Sequence, residues 1–195
     1  MIMENDSDNF DNSIADRLKA LRMARGLTLD QLAEQSGVSR AMISRIERAQ
    51  ASPTAALLAR LCSALGQSLS VFFAPAEENA PLARFAQQPV WKDPETGYLR
   101  RSVSPPGTGS SIDVVEVEFP PGASVHFASQ PASRNQWQHV WLFEGRMELT
   151  VGDVVHVLDA GDCLHMNIGD VHAFRNPTSN IARYGVIIHL GHSAF

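Results

Sequence analysis

The sequence predicts a chain in two parts, a compact helical domain followed by an all-β sandwich or small barrel, and three observations predict it. From Ile14 to Phe73 apolar residues recur at helical spacing and are punctuated by helix caps. From Ile112 to Leu190 they fall in short runs rich in β-branched and aromatic residues, separated by Gly, Pro, Asn and Asp. Between the two stands APAEENAP, a linker rich in Ala, Pro and Glu, after which helical periodicity does not resume. A length of 195 residues and a hydrophobic fraction of 44% suit two ordinary cores. The expected divisions are a disordered acidic leader over 1–12, the helical domain over 13–74, the linker over 75–84 and the β domain over 85–195.

The helices follow in order. Ile14, Leu18 and Leu21 form the buried stripe of a helix ending near Gly26. The run TLDQLAEQSGVSRAMISRIER, Thr28 to Arg48, then places apolar and small residues as two helices joined by a tight turn require. Thr28 and Gln31 form a capping-box pair, Leu29, Leu32 and Ala33 share one face, and Gly37 can take the left-handed conformation that ends the helix. Val38 plugs the corner, Ser39 caps the second helix, and Ile43 and Ile46 bury it. Ser52 before Pro53 starts a further helix with Leu57, Leu58, Leu61, Cys62 and Leu65 inward, and Gly66 ends it. A short last turn runs from Leu69 to Phe73.

In the second part, IDVVEVEF (112–119), HVWLF (139–143), RMELTV (146–151), VVHVLDA (154–160) and ARYGVIIHL (182–190) read as strands. A DPETG turn within WKDPETGYLRR opens the barrel, and Arg100 and Arg101 are candidates for the domain interface. Trp91, Trp137 and Trp141 read as packing residues, as do Val140, Leu142 and Met166.

The net charge of −5 is unevenly spread. Residues 1–16 carry five acids and no Lys or Arg, 17–75 carry eight bases and three acids, and the remainder eight bases and thirteen acids. The helical domain is thus a basic island, suited to a polyanion, behind an acidic leader that reads as a solvated tail. No apolar run reaches the ~18 residues that span a bilayer, and the first residues lack a secretory signal pattern, so the expectation is a cytoplasmic protein. Two cysteines, Cys62 and Cys163, stand outside any CxxC or disulfide framework and read as reduced, mostly buried thiols.

Two helices at this spacing read as a DNA-binding helix-turn-helix. The second helix of such a motif lies in the major groove with its N-terminal residues on base edges. Arg40, Ala41, Ser44 and Arg45 are therefore the expected reading residues: each Arg can grip guanine O6 and N7, and the Ala41 methyl can pack on thymine. Thr28, Gln31, Ser39 and Arg48 are the expected phosphate contacts. Through LRMARGLTLDQLAEQSGVSRAMISRIE and SPTAALLARLCSALG, residues 13–74 resemble the XRE family of phage-repressor-like helix-turn-helix domains, which implies a five-helix domain. The same resemblance implies a structural ion pair between Arg22 and Glu47.

In the second part, PPGA at 120–123, FEGRMELTVGD at 143–153 and DAGDCLHMNIGDVHAFRN at 159–176 resemble the motifs of the cupin superfamily. That resemblance implies a double-stranded β-helix, or jelly-roll barrel, around a pocket that commonly holds a metal on two histidines and a glutamate from one motif and a histidine from another. Only the last is retained, at His172. Gln138 stands at the glutamate position, the stretch from Ala128 to Arg134 contains no histidine, and Asn167 replaces a proline, while Gly161, Gly169 and Asn176 match. His126, His139 and His165 are off the motif spacing, and strand alternation turns His139 away from Gln138. The expectation is a pocket without metal or other cofactor, in which Gln138, His172, Arg134 and Asn167 bind a small-molecule effector.

Joined, the two resemblances imply a bacterial XRE-type transcriptional regulator with a C-terminal cupin sensor, not an enzyme. It is read as a repressor and as a homodimer that binds an operator of paired half-sites, dimerising through the barrel. The competing readings are a metal-dependent cupin enzyme with a DNA-targeting domain, and a redox-responsive regulator acting through Cys163.

Overall fold

The computed structural model describes residues 4–67, 69–73, 81–105, 107–130 and 135–189. Five helices come first: α1 (Glu4–Ala24), α2 (Leu29–Ser36), α3 (Arg40–Ile46), α4 (Ala55–Ala64) and α5 (Leu69–Phe73). Ten strands follow a 3-10 turn at Phe85–Gln87. They are β1 (Val90–Lys92), β2 (Leu99–Ser102), β3 (Ile112–Phe119), β4 (Ser124–Phe127), β5 (Trp137–Glu144), β6 (Arg146–Val151), β7 (Val154–Asp159), β8 (Cys163–Asn167), β9 (His172–Arg175) and β10 (Ala182–His189).

The helix signals act where the sequence puts them. Thr28 Oγ1 accepts from the Gln31 amide and Gln31 Oε1 accepts from the Thr28 amide, so the capping box closes α2 at its start. Gly37 ends it at φ 65°, and Ser39 Oγ accepts from the Met42 amide to begin α3. Two expectations are corrected. Helix α1 starts at Glu4, within the leader expected to be disordered; residues 4–13 contain neither Pro nor Gly, so a helix nucleated by the buried turns at Ile14 and Leu18 extends cheaply toward the N-terminus. Helix α4 is capped not by Ser52 but by Thr54, whose hydroxyl accepts from the Leu57 amide.

The strands form two antiparallel sheets, ordered β1-β2-β3-β10-β5-β8 and β4-β9-β6-β7. Chain-distant strands neighbour one another in both, as in a jelly-roll barrel. Alternation puts Val115, Val117 and Phe119 of β3, Gln138, Val140 and Leu142 of β5, and Tyr184, Val186 and Ile188 of β10 on the inner face. The same alternation corrects three packing expectations. Trp137 and Trp141 stand on the outer face of β5 at 44% and 49% exposure, and Cys163 is exposed on β8, whereas Trp91 and Cys62 are buried as expected.

Both parts share one apolar core, which runs from Leu18, Leu32, Ile43, Leu58 and Leu61 to Trp91, Phe119, Leu142 and Leu149. A file of ring contacts crosses the junction: Phe73 of α5 lies 5.3 Å from Trp91, Trp91 5.7 Å from Tyr98, and Tyr98 5.6 Å from Phe119. It continues through Tyr184 and Phe174 to His172, at centroid separations of 6.3, 5.8 and 5.8 Å. Asp93, in the DPETG turn, is buried and accepts from the Ala55 amide at the start of α4 at 2.7 Å, while its other oxygen accepts from the Thr96 amide and hydroxyl. A β-domain carboxylate thus completes the N-terminus of a helix in the other domain.

Candidate functional site

The exposed face of α3 and the start of α2 carry one set of candidate groups. Arg40, Ala41, Arg45 and Arg48 are exposed, Ser44 is half-buried, and Thr28, Gln31 and Ser39 are exposed at the helix starts. Capping fixes how the last three present themselves. With Gln31 Oε1 occupied by the Thr28 amide, the Gln31 NH2 group remains to donate outward, and the hydroxyls of Thr28 and Ser39, having accepted, still have a proton to donate. Arg40 Nε pairs with Asp30 at 3.1 Å, with both side chains more than 60% exposed. Such a solvated pair is worth little and can exchange its partner for a base or phosphate. Arg48 Nε donates to the Ser44 carbonyl, and Arg45 Nη2 reaches the Gln50 carbonyl at 3.4 Å.

Beneath this face Arg22 and Glu47 form a two-pronged ion pair, Nε to Oε1 at 2.6 Å and Nη2 to Oε2 at 2.8 Å, with side chains 14% and 7% exposed. Arg22 Nη1 also donates to the Leu27 carbonyl. Glu47 holds the guanidinium charged, above the ordinary arginine range. Neither side chain projects from the reading face.

The second set lines a cavity between the two sheets. It offers about 100 Å³ to the centres of water molecules, and its wall is mostly Val115, Val117, Phe119, Phe127, Phe174, Ile188 and similar apolar groups. Gln138 and His172 both line it. His172 is buried, with Nδ1 2.7 Å from the Asp170 carbonyl oxygen; that nitrogen must donate, which leaves Nε2 as a lone-pair acceptor in a neutral ring. Burial pushes its pKa below the usual histidine value, against the pull of Asp170.

Two sequence expectations do not meet the cavity. Asn167 follows inward-facing Met166 on β8 and so turns to the other side, where its Oδ1 accepts from the Gly169 amide and tightens the turn. Arg134 lies outside the described residues. Four polar wall residues were not anticipated: Tyr98, Arg100, Gln130 and Tyr184. The signal for Gln130 was available, since it falls in the stretch where the cupin pattern places its histidine pair. Arg100 does serve the domain interface, with its guanidinium 4.9 Å from the Phe73 ring centre, but it also faces the cavity.

The donor set does not fit a cupin metal. His172 offers the Nε2 lone pair of a potential ligand, but its polar companions in the wall are amides, phenols and a guanidinium, which are not the donors such a metal takes. Among the described residues no three His, Cys, Asp or Glu side chains converge as metal ligands. His139 and His165 lie on the outer face with ring centres 4.6 Å apart, and His126 is exposed on β4.

Comparison with known proteins assigns both parts. The HTH_3 helix-turn-helix family model matches residues 18–72, and the Cupin_2 cupin-domain model matches residues 115–189. The chain joins a helix-turn-helix domain to a cupin domain. This cupin-bearing regulator is 26% identical over 182 residues to the HTH-type transcriptional regulator SutR of Escherichia coli K12, covering 93% of this chain and 97% of that one. It is 27% identical over 169 residues to the regulator PuuR of the same organism, covering 86% and 89%. Its fold matches the crystal structure of an HTH_3 family transcriptional regulator from Vibrio cholerae at a TM-score of 0.76 and 26% identity, over 96% of this chain and 99% of the other. Among the described residues of the regulator, no helix is long and apolar enough to cross a membrane.

Proposed function

We propose that this regulator binds a specific operator as a homodimer and that a small organic molecule in the barrel cavity sets its operator affinity. The observation that carries the reading is the shared wall: Leu69 of α5 lines the same cavity as Gln138 and His172. A molecule bound there touches the helical domain as well as the barrel, so its affinity can differ between two arrangements of the domains, which is what shifts an equilibrium. Arg40 and Arg45 read guanines, Ala41 and Ser44 complete the base contacts, and Thr28, Gln31, Ser39 and Arg48 hold phosphates. One helix-turn-helix spans a short half-site, and a dimer places two of them ~34 Å apart. We assign the protein to the cytoplasm, with repression as the simplest outcome of operator occupancy.

The test is a titration of operator duplexes selected from random DNA by the intact protein, against scrambled duplexes at fixed salt. Arg40→Ala and Arg45→Ala should each lose ~1–3 kcal/mol of discrimination at the base they read. Equal loss on selected and scrambled DNA would mean that these residues contact phosphate only. Arg48→Ala should instead weaken both duplexes alike and reduce the salt dependence by about one counterion.

A further inference from the structure

The cavity wall has a charge pattern that constrains what enters. Among the described lining residues Arg100 is the one permanently charged side chain, and none is Asp or Glu. Burial pulls the guanidinium below the ordinary arginine range, Asp113 outside the wall acts against that shift, and Arg100 Nη1 donates to Ser102 Oγ at 3.2 Å. The other polar groups are neutral. The side-chain amides of Gln130 and Gln138, residues 4% and 6% exposed, and the phenols of Tyr98 and Tyr184 line the same space. Buried polar groups are ordinarily satisfied, and a set of them around one open space marks a site for a hydrogen-bonding guest.

Strand register locates these groups. Arg100 pairs with Val117, and Val117 with Tyr184, which forms one inward row across the sheet. Gln138 pairs with Ile188, four residues further along β10, or ~13 Å of strand. The cationic end therefore lies near α5, and the amide end lies across an apolar middle built from Val115 and Val186. An ammonium group would meet no carboxylate among the described residues of this wall.

The geometry points to a monocarboxylate with an apolar body as the ligand class of the cavity, its anionic end held by Arg100 and its far end by the amides of Gln130 and Gln138. This rests on the reading of the cavity as the effector site and names the chemistry of that effector. At roughly 10–15 Å³ per water centre the space replaces several waters, which suits an acid of roughly eight to eleven non-hydrogen atoms.

The experiment uses the full-length protein and three matched sets: hexanoate, phenylacetate and 4-hydroxyphenylacetate, each with its primary amide and the amine of equal length. At 10 mM the acids should raise the thermal midpoint by roughly 3 °C or more, and the amides and amines by less than roughly 1 °C. Arg100→Met should abolish the acid response, while Arg100→Lys, which keeps the charge, should retain part of it. Because the wild-type comparison needs no variant, a misfolded Arg100→Met leaves the question decidable. Equal shifts by acid and amide, a preference for the amines, or no shift from any of the acids would each overturn the assignment. Operator titration with the stabilising acid separates the two levels: Arg100-dependent binding with unchanged operator affinity keeps the ligand class and removes the effector role.

Discussion

At the scale of single residues, the reading face and its support are held by different kinds of contact. Arg40 sits in a solvated pair that a base can displace, whereas Arg22 and Glu47 lock α1 to the end of α3 in a nearly buried, two-pronged bond. Glu47→Ala should lower unfolding stability by about 3 kcal/mol, since it strands a guanidinium that keeps only the Leu27 carbonyl; urea denaturation measures it. His172 gives a pH signature. The unfolded chain takes up a proton near pH ~6.5 while the folded ring stays neutral to lower pH, so stability should fall as pH drops below about 6.5. A His172→Gln variant should lose that part of the slope in thermal midpoints taken from pH 7.5 to 5.5. The placements fixed by local spacing were legible, among them Ser39 as a helix cap, Arg40 on an exposed helix face, and Gln138 and His172 in the cavity wall. The cavity position of Arg100 was not, because only the pairing of β2 with β3, long-range in sequence, turns it there.

At the scale of elements, the ends of α2 and α3 pose the same backbone problem and solve it differently. Gly37 takes φ 65°, and a Cβ there would lie 2.6 Å from Arg60 Nη2, while Arg60 itself donates to the carbonyls of Ser36 and Gly37. After α3 the left-handed position belongs to Ala49, at φ 52°. Gly37→Ala should therefore destabilise by about 1–2 kcal/mol, and Ala49→Gly should stabilise by about 0.5 kcal/mol after the entropy of glycine is counted, both read by chemical denaturation. Capping signals and the long strands β3, β6 and β10 were plain in the sequence, since each is a local pattern. Strands β1, β2 and β4 are three or four residues long and owe their form to neighbours, so no periodicity announced them. The end of the leader was misjudged for a related reason: composition describes a segment alone, and α1 extends into it from a buried neighbour.

For the whole molecule, the two domains recognised from separate motifs share one core, one file of rings and one wall of the cavity. The intact protein should unfold in a single transition with coincident fluorescence and far-UV dichroism, whereas a linker-jointed pair would give two. Asp93→Ala should lower that common midpoint by several degrees and keep the traces coincident, since it removes the acceptor from a buried helix amide. The Asp93 bond also bears on how such proteins can be recombined. A chimera cut at the linker, grafting these helices onto another barrel, would leave behind the carboxylate that completes α4. A working exchange has to carry the turn from Asp93 to Tyr98 with the reader, so the unit of inheritance is larger than the domain that sequence motifs delimit.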